Sequence, residues 1–298
     1  MSEENVSAGE IVKAPPRVNE FRRFLRVFLG RKVVIFGLAV IIMLILVAIL
    51  APILAPYEPN KQSLTRTLED PSREHLLGTD ALGRDTLSRI IYGTRISLMI
   101  SLIVVTCATA AGTFLGLVAG YFGGWAYTII MRFFDSLMAF PLILLALLLA
   151  SLLGGGLFNV IIALSVAMMP AYGRLMCGQV LSVKENDYVL AGHSLGGSNF
   201  RIMFRHVAPN CFPPLIVAMT MQIGAVVLAE AGLGFLGIGV VAPTATWGSM
   251  INDGRQYLLP HPLLSITPGV AIMLLVFSFN MVGDGLRDAL DPRLRGTW

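Results

Sequence analysis

Apolar and polar positions fall in long blocks along this chain rather than alternating. Six apolar runs occupy about residues 33–55, 97–120, 127–153, 158–177, 212–236 and 263–282. At about 1.5 Å per helical residue, some twenty of them cross a bilayer core of about 30 Å. The pattern predicts an all-α integral membrane protein with six transmembrane helices. The polar intervals divide it into an N-terminal segment (1–32), a first transmembrane helix (33–56), an external loop with a surface helix (57–96), a five-helix core (97–285) that includes a polar loop at 181–210, and a tail (286–298).

The flanks of the runs set an orientation. Arg17, Arg22, Arg23, Arg26, Arg31 and Lys32 precede the first run, which carries no charge of its own. Basic residues stay on the cytoplasmic side. An even number of spans then leaves both termini inside, including a tail with Arg287, Arg293 and Arg295. A secretory signal would be shorter and start nearer Met1, so no cleavage is expected. The interval 57–96 balances six basic against six acidic residues, as suits the outer side. Its last part, 85–98, has helical spacing at Leu87, Ile90 and Ile91 and is expected to lie along the outer surface.

Within the runs a few residues break the apolar monotony. Ala108, Gly112, Gly116 and Gly120 recur at steps of four, a flat stripe that lets another helix approach, of this subunit or of a second one. Gly123 and Gly124 mark an inner turn, and Gly154-Gly155-Gly156 an outer one. The third run contains Arg132, Asp135 and Pro141. A lone charge near the bilayer centre costs about 2.5–3.5 kcal/mol on insertion scales. Arg132 and Asp135 are i and i+3 on one helix face near its cytoplasmic end, either a structural pair or a part of a gate. Pro141 is expected to kink that helix. The fourth run contains Pro170, and Arg174 marks its inner end. Glu230, the one acid of the fifth run, either accepts hydrogen bonds in the bundle interior or faces a polar path. The second outer segment has a loop at 241–248 with Trp247 as an aromatic anchor.

Composition agrees with lipid as part of the solvent. Charged residues make up 13% of the 298, hydrophobic residues 55%, and mean hydropathy is +0.75; soluble domains carry about 25% charged residues. The net charge of +4 is concentrated at the flanks, which points to membrane orientation rather than to nucleic acid. Cys107, Cys177 and Cys211 are scattered and form no ligand cluster, so no metal or disulfide is expected.

The longest polar interval of the second half, 187–209, admits two readings. Gly192-His193-Ser194-Leu195-Gly196 matches the G-x-S-x-G elbow of serine hydrolases, with His206 and His261 downstream. That elbow needs a mostly parallel sheet, and membrane-spanning runs flank it here. His261 would also lie across the membrane from Ser194. The helical reading accounts for more. Ala191, Gly192 and Ser194 are small, Gly196-Gly197 ends a helix by accepting the left-handed conformation, and Ser198 caps a second helix that runs to Pro209. The result is a helix–glycine turn–helix knob on the cytoplasmic side, with Lys184, Arg201 and Arg205 about it. No P-loop, H-E-x-x-H or C-x-x-C is present. ATP hydrolysis, if this protein depends on it, belongs to another chain, and no catalytic or metal-binding residue is assigned here.

The knob resembles the cytoplasmic loop of permease subunits of binding-protein-dependent ABC importers, whose pattern is E-A-A, three residues, Gly, nine residues, I-x-L-P. Ala191, Gly192, Gly196 and Pro209 match it or nearly so; Leu190, His206 and Ala208 depart from it. Other stretches are closer. Gly78-Thr79-Asp80-Ala81-Leu82-Gly83-Arg84-Asp85 with Ser88 and Arg89 resembles the segment before the second helix of dipeptide and oligopeptide permeases. Phe235-Leu236-Gly237-Ile238-Gly239 and Trp247-Gly248 resemble their second outer loop, with Thr246 where Glu is usual. Gly283-Asp284-Gly285-Leu286-Arg287-Asp288-Ala289-Leu290-Asp291-Pro292 resembles their C-terminal signature. The resemblance runs from about residue 20 to 296. It implies a type I ABC importer permease of a bacterial inner membrane, paired with a sister permease. It also implies two ATPase subunits that carry ATP-Mg, an extracytoplasmic substrate-binding protein, and a di- or oligopeptide substrate. Asp187, Tyr188, Ala191, Gly192, Gly196, Arg201, Arg205 and Pro209 would then couple to the ATPases, with Arg132, Asp135, Pro141 and Glu230 as pathway or gating residues. Nickel and glutathione importers share this subunit type. A secondary carrier, the binding-module alternative, would need more ion-coordinating polar residues on broken helices.

Overall fold

The computed structural model describes residues 20–290; Arg17, Arg293 and Arg295 of the basic flanks lie outside them. An amphipathic helix, α1 (Glu20–Leu29), leads into α2 (Lys32–Ile49), the first span. The first run does not continue as one helix: it bends at Leu50 into a single turn, α3 (Ala51–Leu54), with Pro52 in the opening position where its missing N–H costs nothing. After a loop over 55–85 comes α4 (Thr86–Phe122), then α5 (Gly124–Met138), α6 (Leu142–Leu153) and α7 (Leu157–Val183). The knob contributes α8 (Asp187–Ser194) and α9 (Asn199–Ile202). A π-helical turn, Met203–Val207, joins α9 to α10 (Ala208–Phe235); α11 (Trp247–Gly254) and α12 (Leu263–Leu290) complete the fold. Among the described residues no strand forms.

Five of these helical stretches are long and apolar enough to cross a membrane alone. The sixth span is the pair α5–α6, bent by 91° at Ala139–Pro141. The hydrogen bonds at its two ends decide that it crosses. Its start adjoins the knob: Lys184 donates to the Gly120 carbonyl (3.4 Å), and the Tyr121 hydroxyl lies 3.4 Å from His193 Nε2. Its end adjoins the opposite side: the Gly156 N–H donates to the Gly239 carbonyl (3.2 Å) on the α10–α11 connection. Six crossings result, as the sequence predicts. Pro141 does more than kink the third span, since it breaks the helix outright.

The segment 85–98 is not a separate surface helix either. It forms the first turns of α4, which is 37 residues long and exceeds the ~20 residues that a bilayer core needs. Asp85 caps this helix, accepting from the Ser88 N–H (2.8 Å) and hydroxyl (2.7 Å), while His75 Nδ1 approaches its other oxygen at 2.8 Å. Asp80 holds Arg84 at 2.6 Å, and Arg84 reaches Asp253 of α11 at 3.4 Å. On the exposed rim of this loop Arg66 bonds Glu74 (2.6 Å) and holds its carboxyl below the usual range. The segments before α4 and around α11 thus form one cap. Trp247 is fully buried in that cap, and its Nε1–H donates to the Ile90 carbonyl (3.3 Å).

The core lies between α4 and α7, with α10 and α12 beside them and α2 on their outer flank. The small-residue stripe faces inward to the same subunit. A Cβ at Gly112 or Gly116 would run into the backbone of α7 at Met169 and Gly173, and one at Gly120 would meet Val180 and Cys177 at 2.9–3.0 Å. Gly173 is also covered on its other side, where a Cβ would collide with the ring of Phe134, itself fully buried. Three helices therefore meet at Gly173. With backbones this close, their contact surface is dispersion and shape fit, the main source of helix association where lipid replaces water. Outward, α2 shows Val33, Ile35 and Phe36 about half exposed, as a lipid-facing surface requires.

Candidate functional site

Two regions carry the chemistry that the apolar bundle cannot supply: the knob and a charged face between α5 and α7. In the knob, Asp187 sits in the first turn of α8, where its charge complements the helix dipole. The helix stops at Gly196, whose φ of +77° closes the turn; the Gly197 N–H then returns to the Gly192 carbonyl (3.1 Å). Ser198 caps α9, accepting from the Arg201 N–H at 3.4 Å. Val189 and Ile202 are each 1% exposed and form the small interior. A Cβ at Gly197 would come within 3.1 Å of Ile202, so α8 and α9 approach closely there. The Tyr121 hydroxyl also donates to Asn199 Oδ1 (3.3 Å), which ties the knob to the end of α4.

What the knob presents is apolar. Leu195 is 88% exposed and Phe200 68%, with Tyr188, Leu190 and Phe204 about half exposed around them. Ala191, Arg201, Arg205 and Pro209 are exposed beside this patch, and Gly192 is half-buried. The small residues alone suggested a contact surface; Leu195 and Phe200 are its main apolar area. The available signal was Leu195 and Phe200 flanking the glycine turn, apolar residues at a bend that leaves them no interior to fill. Pro209 does not end the second helix, because the chain passes through the π turn into α10 without a loop. Instead it lines a cavity of ≈ 670 Å³ with Gln179, Asn210 and Arg287, between α7, α10 and α12.

The hydrolase arrangement does not form. Ser194 ends α8, and its hydroxyl donates to the Leu190 carbonyl (3.1 Å). A nucleophile elbow needs a strand-to-helix turn at that serine. His261 lies near Asp70 (3.3 Å) in the cap on the opposite side.

The charged face also differs from its sequence reading. Asp135 pairs with Arg174 of α7, not with Arg132. Arg132 is exposed and makes no ion pair among the described residues. Residues 124 to 135 at about 1.5 Å each place Asp135 about 16 Å along α5, deeper than the helix base expected for it. Glu230 is in the bundle interior, 1% exposed, and accepts from the Ser97 hydroxyl at 3.3 Å. Ser97 stands 133 positions away and has no sequence signal as its partner.

Six spans and a two-helix knob between the fourth and fifth define a multi-pass membrane protein. Residues 112–296 match the family described as "binding-protein-dependent transport system inner membrane component", and residues 19–71 match the "N-terminal TM domain of oligopeptide transport permease C". The chain is 43% identical over 278 residues to the "dipeptide transport system permease protein DppC" of Alkalihalophilus pseudofirmus, covering 93% of this chain and 91% of that one. It is 42% identical over 276 residues to the "glutathione transport system permease protein GsiD" of Pectobacterium atrosepticum, covering 92% of each. Its fold is similar to a chain of the inward-facing MetNI methionine ABC transporter, with a TM-score of 0.56 at 19% identity over 69% of this chain and 97% of that one. This chain belongs to the family of binding-protein-dependent transport system inner membrane components.

Proposed function

We propose that this chain is one of two membrane subunits of an ATP-driven importer in a bacterial inner membrane, and that it forms half of a pathway for di- or oligopeptides. The second half is a sister permease. Two ATPase subunits carry ATP-Mg and dock on the knob from the cytoplasm; an extracytoplasmic binding protein delivers substrate at the cap. Both termini are then cytoplasmic. The observation that carries this reading is the apolar patch of Leu195 and Phe200, exposed on a knob that is internally braced and continuous with α10. Water-exposed apolar side chains on a rigid element mark a docking surface, and an amphipathic helix seated in a groove is a common way to use one. The peptide class is supported by the dipeptide and glutathione relatives, since glutathione is itself a small peptide.

The test is reconstitution of the chain with its sister permease, ATPases and binding protein in liposomes. ATP-dependent accumulation of a labelled dipeptide, and of glutathione for comparison, is expected. Accumulation that proceeds without ATP would assign a secondary carrier, and an assembled complex that hydrolyses ATP but moves no peptide would remove the peptide reading.

A further inference from the structure

Asp135 and Arg174 form an ion pair across α5 and α7, yet neither is buried: their side chains are 47% and 45% exposed. They open, with Arg132, onto a cavity of ≈ 550 Å³ that Tyr127 and Thr128 also line. Charged side chains on membrane-spanning helices seldom face hydrocarbon; they face a bundle interior or a water-filled path. A structural duty for the pair would be to hold α5 on α7. That contact is already made by the adjacent residues, Phe134 seated on Gly173, both out of solvent. The pair stands beside the packed seam rather than in it.

Formal charges on the face are two positive and one negative, so one guanidinium exceeds what Asp135 can neutralise. A free peptide at neutral pH has a carboxylate at one end and an ammonium at the other. The planar guanidinium of arginine matches a carboxylate in a two-pronged fashion. The cavity volume falls within the range of about 300–1,000 Å³ common for small-ligand sites. We infer that Arg132, Asp135 and Arg174 form a transit site for the charged ends of the peptide, with Arg132 taking the carboxylate while Asp135 exchanges Arg174 for the ammonium. This rests on the peptide reading above. One ion pair opens as others form, which keeps binding weak enough for release, the requirement of any conducting site.

The experiment uses the complete reconstituted complex at saturating loaded binding protein, so that the binding protein's own preference does not set the rate. Uptake is compared for a dipeptide and its C-terminal amide. Wild type is expected to favour the free acid by about tenfold, the low end of what a hydrogen bond to a charged group contributes. Arg132→Gln is expected to bring that ratio near one. Arg132 is exposed and without an ion-pair partner among the described residues, so folding does not depend on it. The charge swap Asp135→Arg with Arg174→Asp should assemble but not recover uptake. A swap that transports like wild type makes the pair structural and overturns the site. An Arg132→Gln complex that keeps the wild-type ratio overturns it as well, whether or not the swap assembles. A wild-type complex that moves neither peptide refutes the peptide reading, and the site with it.

Discussion

Leu195→Asp separates the fold from the coupling that we ascribe to the knob. Leu195 is 88% exposed, so the folded permease loses almost no burial when it is replaced; surface substitutions of this kind stay within about 0.5 kcal/mol. Docked in a groove, the same side chain would be buried, and full burial of a leucine contributes about 1.5–3 kcal/mol. Aspartate removes that contribution and adds a carboxylate to a drying contact. The loss is then at least about 2 kcal/mol, or roughly thirtyfold in affinity for the ATPase. Three measurements belong together: the melting temperature of the isolated permease, the affinity of the purified ATPase for it, and ATP hydrolysis stimulated by loaded binding protein. The first should not change, and the other two should fall. If stimulation and uptake persist in a variant that melts normally, the knob is not where the ATPase docks.

Gly196→Val tests the turn. A Cβ there meets nothing within 4 Å, so the cost is the strain of a β-branched residue at φ +77°, about 1–2 kcal/mol; uptake should drop while insertion into membranes, followed by fractionation, is normal. Gly116→Val tests the seam with α7, where its Cβ would overlap the Gly173 carbonyl. Overpacking costs typically about 1–3 kcal/mol, and a lower melting temperature in detergent is expected, whereas an unchanged one would contradict the interlock. Orientation is checked by cysteine labelling in a Cys107→Ser background. Gln62→Cys should react with an impermeant thiol reagent in intact cells and Glu185→Cys should not; the reverse pattern would invert the topology.

The spans were legible because lipid demands about twenty apolar residues in a row, and few other structures require that. The knob was legible through its local grammar: Gly196 and Gly197 at the turn and Ser198 at the cap each act within a few residues of themselves. Partners across the fold were not legible. Spacing on one helix offered Arg132 to Asp135, but Asp135 turns to Arg174, 39 positions on. The same holds for Glu230 with Ser97 and for Trp247 with Ile90. The effect of a proline was legible only in part, since Pro141 does more than the kink expected of it. At Pro141 the helix breaks, and α5 and α6 meet at 91°. Pro170 stays inside α7, where it is buried against neighbours that hold the helix in line. The sequence cannot distinguish these cases, since tertiary contacts decide whether a lost N–H donor opens the backbone.

Those contacts also fix how movement at the knob can spread. The link from α7 to the knob is three residues long, between Val183 and Asp187, and the link to α10 is continuous helix. Tyr121 fastens the remaining side to α4. A load on the knob is thus borne by α4, α7 and α10 together, with no slack loop to absorb it. At Gly173, α4 and α5 close on α7 from two sides, and interlocked backbones shift as units rather than deforming smoothly. Arg174 follows Gly173 directly, so a rotation of α7 that keeps the seam intact swings the guanidinium relative to Asp135 on α5. The α10 side has one place able to yield. Met203–Val207 already departs from α-helical hydrogen bonding, and Pro209, Pro213 and Pro214 withhold three donors just beyond it. Under the docking proposed for Leu195 and Phe200, a load would reach the charged face by a stiff route through α7 and a compliant one through α10, and an asymmetry of that kind would turn a push on the knob into rotation of one helix against another.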